Sequence, residues 1–122
     1  MATAAEEKEF AAYVVDLLQG VGPVYSKRMF GGFGLFLQGL MFGLITDNSL
    51  YLKVDDENRA DFDELGLQAF SYLKQGKQTR LSYFQAPEEA MDNPELMSEW
   101  GSKSYGVALR AAAKKRRKLD SS

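Results

Sequence analysis

The chain has 122 residues, of which 45% are hydrophobic and 26% charged, as expected for one soluble globular domain. It contains neither cysteine nor histidine. Disulfides, thiol nucleophiles and thiolate metal sites are therefore excluded, and the commonest general base and metal ligand is missing. We accordingly predict a protein that is not an enzyme and needs no metal and no cofactor.

The charge is unevenly distributed along the chain. Residues 1–100 hold eight Lys/Arg against sixteen Asp/Glu, a net charge of −8, whereas residues 101–122 hold seven Lys/Arg against one Asp, a net charge of +6. This asymmetry predicts an acidic domain over residues 1–112 and a basic C-terminal tail over residues 113–122. The tail carries its charge in one run: Lys114, Lys115, Arg116, Arg117 and Lys118.

No apolar run approaches the roughly 20 residues that span a bilayer. The N-terminal segment is small and acidic, without the basic and apolar regions of a signal peptide. We therefore predict a cytoplasmic protein that has no contact with a membrane.

The first half of the chain predicts one helix and three strands. Apolar residues at helical spacing indicate a helix over 5–19. Two strands follow at about 28–37 and 40–46, joined by a tight turn at Gln38-Gly39, and a third covers 50–54. The glycines of the first strand indicate either a bulged, sharply curved strand or a place where another backbone comes close. We expect Phe36 and Phe42 to face the core.

The second half predicts a helix, a hairpin and a last helix. The helix covers about 56–65, with Asp55 or Asp56 as its cap, and the hairpin strands cover about 69–74 and 78–84 around Gln75-Gly76-Lys77. A helical turn follows Pro87, and the last helix runs from Asn93-Pro94 to about Ala112. The order α-β-β-β-α-β-β-α predicts an α+β fold with a five-stranded, mainly antiparallel sheet and packed helices.

Four motifs resemble the N-terminal domain of the TfoX/Sxy competence-regulator family. They occur in the family's order within residues 10–112, and each alone is weak. The motifs are Arg28-Met29-Phe30-Gly31-Gly32-Phe33-Gly34, Met41-Phe42-Gly43-Leu44-Ile45, Leu50-Tyr51-Leu52-Lys53-Val54-Asp55 and Ser82-Tyr83-Phe84-Gln85-Ala86-Pro87.

The resemblance implies a secretion-chaperone-like fold and a regulatory role. Full-length members of that family carry a second, helical domain and act as coactivators of competence genes alongside the cAMP receptor protein. This chain resembles only their first domain. The resemblance therefore implies a single-domain member that works by protein–protein contact, with a partner in the transcription machinery, and it supplies no catalytic residues.

Residues 114–118 are the candidate nucleic-acid-binding residues. Basic side chains that neutralise phosphates release counterions, which gives weak, salt-dependent and sequence-independent binding to DNA. Alternatively, these charges complement the dipole at a helix C-terminus and belong to a solvated tail.

Three further basic residues on predicted strands are candidates for an anion or partner surface: Arg28, Lys53 and Arg80. They would act together if they converge on one face of the sheet. Alternatively, they are ordinary outward-facing charges on a solvated face. A small-molecule site beside Lys53 or Arg80 is a third possibility. We also expect a homodimer, because an open sheet leaves two edges for pairing.

Overall fold

The computed structural model describes the backbone of residues 3–29, 31–74 and 76–120, and the side chains of these residues apart from 72–74, 77–81 and 120. The described strands are Tyr25–Met29 (β1), Gly32–Leu37 (β2), Leu40–Thr46 (β3), Ser49–Lys53 (β4), Ala69–Lys74 (β5) and Lys77–Gln85 (β6). The described helices are Ala4–Leu17 (α1), Arg59–Glu64 (α2) and Pro94–Asp120 (α3), with a short 3₁₀ helix at Glu88–Asp92.

The strands form one antiparallel sheet in the order β1-β2-β3-β4-β6-β5. The predicted α+β class is confirmed, but the prediction of five strands is wrong because the sheet has six. The segment predicted as one strand over 28–37 belongs to two paired strands, in which Met29 lies opposite Gly32. Gly31, at φ +74°, helps to reverse the chain between them. Phe30 lies outside the described residues.

Two tight turns set the register of the central strands. Gln38 and Gly39 have φ values of 51° and 81°, as a two-residue type I′ hairpin turn requires, so the turn predicted there is confirmed. Asp47 and Asn48 have φ values of 51° and 55° and join β3 to β4 in the same manner. In the β5–β6 turn, Gln75 lies outside the described residues.

Side-chain caps begin two of the helices. The Thr3 hydroxyl accepts a hydrogen bond of 3.1 Å from the Glu6 N–H at the start of α1, and the Asn93 side chain accepts one of 3.1 Å from the Leu96 N–H at the start of α3. Helix α2 begins at Arg59, later than predicted, because Asp55 caps the preceding turn and not the helix.

The helices pack against one face of the sheet and form the core with it. The largest fully buried side chains are Phe42, Phe62, Leu18, Leu35, Ile45, Leu52, Met97 and Val14. Phe42 therefore faces the core as predicted, but the prediction for Phe36 is wrong. The two-residue turn pairs Phe36 with Met41, and alternation along β2 places Phe36 on the opposite face from Leu35 and Leu37. The pairing with β3 then shifts by one residue, so that Leu35 lies opposite Gly43 and Phe42 is the extra residue.

Gly32 allows a close approach between β2 and β3. A Cβ atom built on Gly32 would lie 2.0 Å from the carbonyl oxygen of Ile45, which is a backbone atom and cannot turn away. By contrast, Gly66 after α2 has open space around it and a φ of +68°. The two glycines thus meet different constraints, one steric and one conformational.

We predict that Gly32→Ala lowers the free energy of unfolding by about 3 kcal/mol, because strands β2 and β3 must separate to accept the methyl group. Gly66→Ala is the control and should cost about 1 kcal/mol, the strain of a left-handed backbone. Urea titrations followed by circular dichroism measure both values. Equal losses in the two variants would contradict the proposed close approach.

Candidate interaction surfaces

The sheet face away from the helices carries aromatic, methionine and lysine side chains. We call it the open face; its described strand residues include Tyr25, Lys27, Met29, Phe36, Met41, Leu44, Tyr51, Lys53 and Tyr83. The middle of this face is closed by its own side chains, since Leu44 and Tyr83 are buried. The β1–β2 end is more accessible, because Tyr25 is 38% exposed and Phe36 is half-buried.

At the β1–β2 end, two aromatic rings stack beneath a lysine. The rings of Tyr25 and Phe36 lie with centroids 5.7 Å apart and an interplanar angle of 16°. The Lys27 ammonium lies 5.3 Å from the centroid of Phe36, within reach of a cation–π interaction. Two methionine sulfurs lie over Gly34. A Cβ atom built on Gly34 would lie 2.6 Å from Met29 Sδ and 3.2 Å from Met41 Sδ.

A second aromatic group lies farther along the open face. Tyr51 on β4 contacts Phe70 on β5 edge to face, with centroids 5.1 Å apart. The Lys53 ammonium lies 5.1 Å from the centroid of Tyr83. Burial raises the pKa of Tyr83 to about 12, so the phenol ionises less readily than that of an exposed tyrosine. Burial also lowers the pKa of Lys53, and the nearby Asp55 carboxylate partly offsets this effect.

The charge of the open face differs in sign from that of the chain as a whole. Among its described strand residues, the charged side chains are Lys27 and Lys53, and each lies against an aromatic ring. The chain as a whole has a net charge of −2. The open face therefore presents apolar rings with positive charge at their edges.

The three residues predicted as an anion or partner surface do not come together as a group. Arg28 lies opposite Phe33, a core residue, and its guanidinium is 4.7 Å from that ring, so it belongs to the helix side of the sheet. Lys53 belongs to the open face. Arg80 lies on β6 opposite Ser71, and its side chain is outside the described residues.

Sequence reasoning missed Tyr25 and Lys27 as parts of a site. The prediction began the first strand at residue 28, so Tyr25 and Lys27 were not assigned to the sheet. Their spacing with Met29 is the alternation of a strand, with every second side chain on one face. That pattern could have revealed β1.

An ion pair fixes α3 to the turn after β4. The Arg110 guanidinium donates to both carboxylate oxygens of Asp55, at 2.8 and 3.0 Å, and its Nε lies 2.7 Å from the Glu57 carboxylate. The hydrogen bond from Arg110 lowers the pKa of Asp55, and the same pairing raises the pKa of Arg110. Asp55 and Glu57 thus have a structural role in holding α3 in place.

The basic run lies at the end of α3. Helix α3 extends to Asp120, beyond the predicted end near Ala112, and Ala108 is the last buried residue among its described side chains. All five basic side chains are exposed: Lys114, Lys115, Arg116, Arg117 and Lys118. They therefore project from helical turns that have passed the core.

The surface clefts between α2 and α3 are bounded mainly by charged side chains. One cleft of about 390 Å³ lies between α2 and α3, with Asp61, Lys103, Gly106 and Arg110 among its walls. Lys103 and Asp61 form an ion pair of 2.9 Å there. No helix in the described part of the chain is long and apolar enough to cross a membrane.

The fold is that of a small α+β domain with one antiparallel sheet. A family model described as the TfoX N-terminal domain matches residues 16–108. The chain belongs to the TfoX N-terminal domain family, and the resemblance predicted from the four motifs is confirmed.

A curated relative supports this assignment. The chain is similar to a protein of Aliivibrio fischeri (strain ATCC 700601 / ES114) named DNA transformation protein TfoX1, with 31% identity over 109 residues. The match covers 78% of this chain and 52% of the relative. The chain thus spans about half the length of that relative.

We predict that Asp55→Asn lowers the free energy of unfolding at pH 7 by about 1 kcal/mol, a value reduced by the partial exposure of the pair. Because the folded-state pKa of Asp55 is lowered, its stabilising effect is complete above the unfolded value of about 3.9 and is lost as the pH falls through the folded pKa. Denaturant titrations of wild type and variant should therefore converge in acid.

The control for this prediction is Asp63→Asn, which removes the exposed Arg59–Asp63 pair of 3.4 Å. It should change stability by less than about 0.5 kcal/mol at either pH. If Asp55→Asn behaves like this control at pH 7, the Asp55–Arg110 pair does not hold α3.

Proposed function

We propose that this domain is a non-enzymatic regulatory module that binds a protein partner through the β1–β2 end of its open face. The observation that carries the proposal is the stacked Tyr25–Phe36 pair beneath Lys27. Aromatic rings already held by a sheet lose little conformational freedom on binding, so contact with an apolar side chain brings a net gain. The partner would supply an apolar segment that also carries a carboxylate.

Charge supports this choice of partner. Lys27 and Lys53 are the charges of the described strand residues on the open face, and both remain next to apolar rings. A carboxylate of the partner would gain from these ammonium groups, whereas a basic segment would be repelled. The absence of histidine and cysteine from the sequence supports the non-enzymatic part of the proposal.

Family membership supports the proposed cellular role. The relative in Aliivibrio fischeri is named a DNA transformation protein. We extend to this chain a cytoplasmic role in regulating transcription for competence, with a partner in the transcription machinery. The chain matches about half of that relative. We therefore propose this role for the domain alone and do not extend to it the full activity of the relative.

A crosslinking experiment tests the proposed docking surface. A photoreactive amino acid replaces Phe36 and is activated by light in cells. The control carries the same amino acid in place of Tyr13 on α1, because Tyr13 is exposed on the helix side of the sheet. We expect a protein crosslinked from position 36 and not from position 13. The crosslinked protein, once purified, should bind wild type at least about tenfold more tightly than Lys27→Glu.

The proposal is wrong if positions 36 and 13 give the same crosslinks. It is also wrong if Lys27→Glu and wild type bind the purified protein equally. Circular dichroism of Lys27→Glu should match wild type, because Lys27 is exposed and lies on an edge strand.

A second candidate function is weak, sequence-independent binding of nucleic acid by residues 114–118. The supporting observation is that all five basic side chains are exposed in helical turns beyond the last buried residue, Ala108. Phosphate contacts of this kind release counterions and weaken steeply with salt. The net charge of −8 over residues 1–100 opposes a nearby phosphate backbone, so contact would be confined to the end of α3.

We predict that removal of residues 113–122 abolishes retention of duplex DNA in gel shifts at low salt and leaves the fold intact. The core ends at Ala108, so thermal unfolding of the truncated protein should match that of the full chain. Full-length protein should lose its retention as salt is raised. Equal retention by the truncated protein would reject this function.

A further inference from the structure

Strand β1 forms a free edge of the sheet. It is the first strand in the order β1-β2-β3-β4-β6-β5 and pairs with β2 along all five of its residues. In an antiparallel ladder, every second residue directs its N–H and C=O groups away from the neighbouring strand. Among the residues that the structure describes, none forms a hydrogen bond with these outward groups of β1. The edge therefore has main-chain donors and acceptors available for another strand.

The side chains of this edge are accessible to a partner. Tyr25, Lys27 and Arg28 are exposed, and Ser26 and Met29 are half-buried. Helix α1 contacts β1 from the helix side of the sheet and leaves those three side chains exposed. A strand could therefore approach β1 in the plane of the sheet.

We propose that the protein partner of this domain adds an extended strand to β1, antiparallel to it, and so continues the sheet by one strand. This inference rests on the proposed function, because the added strand would lie beside the β1–β2 end of the open face. Main-chain hydrogen bonds would supply affinity, and alternate side chains of the added strand would supply specificity. The antiparallel direction continues the pattern of the sheet and gives the slightly more stable ladder.

The alternation of side chains along β1 determines the chemistry of the added strand. Tyr25, Lys27 and Met29 lie on the open face, whereas Arg28 lies on the helix side. Side chains directly opposite one another on antiparallel strands lie about 5 Å apart at Cβ and interact. Apolar residues of the added strand would therefore lie opposite Tyr25 and Met29, and carboxylates would lie opposite Lys27 and Arg28.

Two neighbouring cations make the edge selective for an acidic strand. Lys27 and Arg28 are consecutive, so one lies on each face of the sheet beside the edge. Neither forms an ion pair within the described part of the chain, and β1 itself contains no acidic residue. Carboxylates placed opposite them would be attracted, whereas a basic strand would be repelled.

The same charges disfavour a second copy of this chain as the occupant. Lys27 is the middle residue of β1, so symmetric antiparallel pairing of two β1 strands would place Lys27 opposite Lys27. Like charges directly opposite each other destabilise a strand pair, and lysine on an edge strand commonly protects against self-association. The edge is therefore suited to an acidic strand of another protein and is a poor site for the homodimer predicted from the sequence.

A synthetic peptide tests strand addition. Its five central residues are valine, glutamate, glutamate, threonine and valine, so that antiparallel pairing places the valines opposite Met29 and Tyr25. Nuclear magnetic resonance of the isotopically labelled full chain should show shifts of the β1 amide signals as the peptide is added. At saturation, hydrogen exchange of the outward β1 amides should slow at least about tenfold, because they become hydrogen-bonded.

Two N-methylated forms of this peptide separate strand addition from docking by side chains alone. Every second amide of the added strand would face β1, and the remaining amides would face solvent. Methyl groups on one alternate set should therefore weaken binding at least about tenfold, and methyl groups on the other set by less than about threefold. Both forms keep every side chain of the peptide, so side-chain docking alone would give equal binding.

The Arg28→Glu variant tests the charge of the edge without changing the open face. It should raise the dissociation constant of the peptide at least about tenfold, because a glutamate would then lie opposite a glutamate. Lys8→Glu is the matched control, since it makes the same change of charge at an exposed position on α1, and it should change the constant by less than about threefold. Circular dichroism checks that both variants fold.

Three results would overturn the proposal. They are equal binding of the two N-methylated peptides, an Arg28→Glu variant that binds as tightly as wild type, and no shift of the β1 amides at about 5 mM peptide, where even a millimolar ligand would be bound. The N-methylated peptides are tested on wild type, so they decide the question even if Arg28→Glu fails to fold.

The proposed function has a separate test at position 36. Crosslinks from that position together with any of the three results would retain docking on the open face and reject strand addition. Strand addition without crosslinks from position 36 would instead contradict the proposed function. The two failures are therefore distinguishable.

Discussion

The two-residue turns at Gln38-Gly39 and Asp47-Asn48, together with a one-residue register shift between β2 and β3 at Leu35–Phe36, set the register of the central sheet. The division of side chains between its two faces depends on that register. Because side chains alternate along a strand, a change of one residue in either turn would exchange the core and open faces. The register fixes which aromatic rings pack beneath the helices and which remain available to a partner.

The consequence is clearest for Phe36 and Phe42. Phe42 is fully buried and contacts Tyr105 of α3, with centroids 5.7 Å apart. Phe36 is paired with Met41, the residue before Phe42, and it stacks on Tyr25 on the open face. Two phenylalanines in one hairpin thus have different roles. Phe42 stabilises the domain, and Phe36 forms part of a candidate binding surface.

Much of the fold could be predicted from the sequence because its signals are local. The turns at Gln38-Gly39 and Asp47-Asn48 and the start of α3 at Asn93-Pro94 depend on backbone preferences of a few residues. The separate strand β1 was missed, because the sequence between Met29 and Gly32 has no polar turn residue and its glycines were interpreted as a bulge. The Asp55–Arg110 pair joins residues 55 positions apart, and no local pattern reports such a contact.

The account as a whole depends on Tyr25 and Phe36 lying together on the face that the helices leave open. The most direct measurement is a set of nuclear Overhauser effects between aromatic rings and methyl groups in solution. We expect cross-peaks between the rings of Tyr25 and Phe36 and from Phe36 to the methyl of Met41, while the ring of Phe42 gives cross-peaks to Tyr105. Cross-peaks from the ring of Phe36 to Tyr105 would contradict the account, because they would place Phe36 in the core.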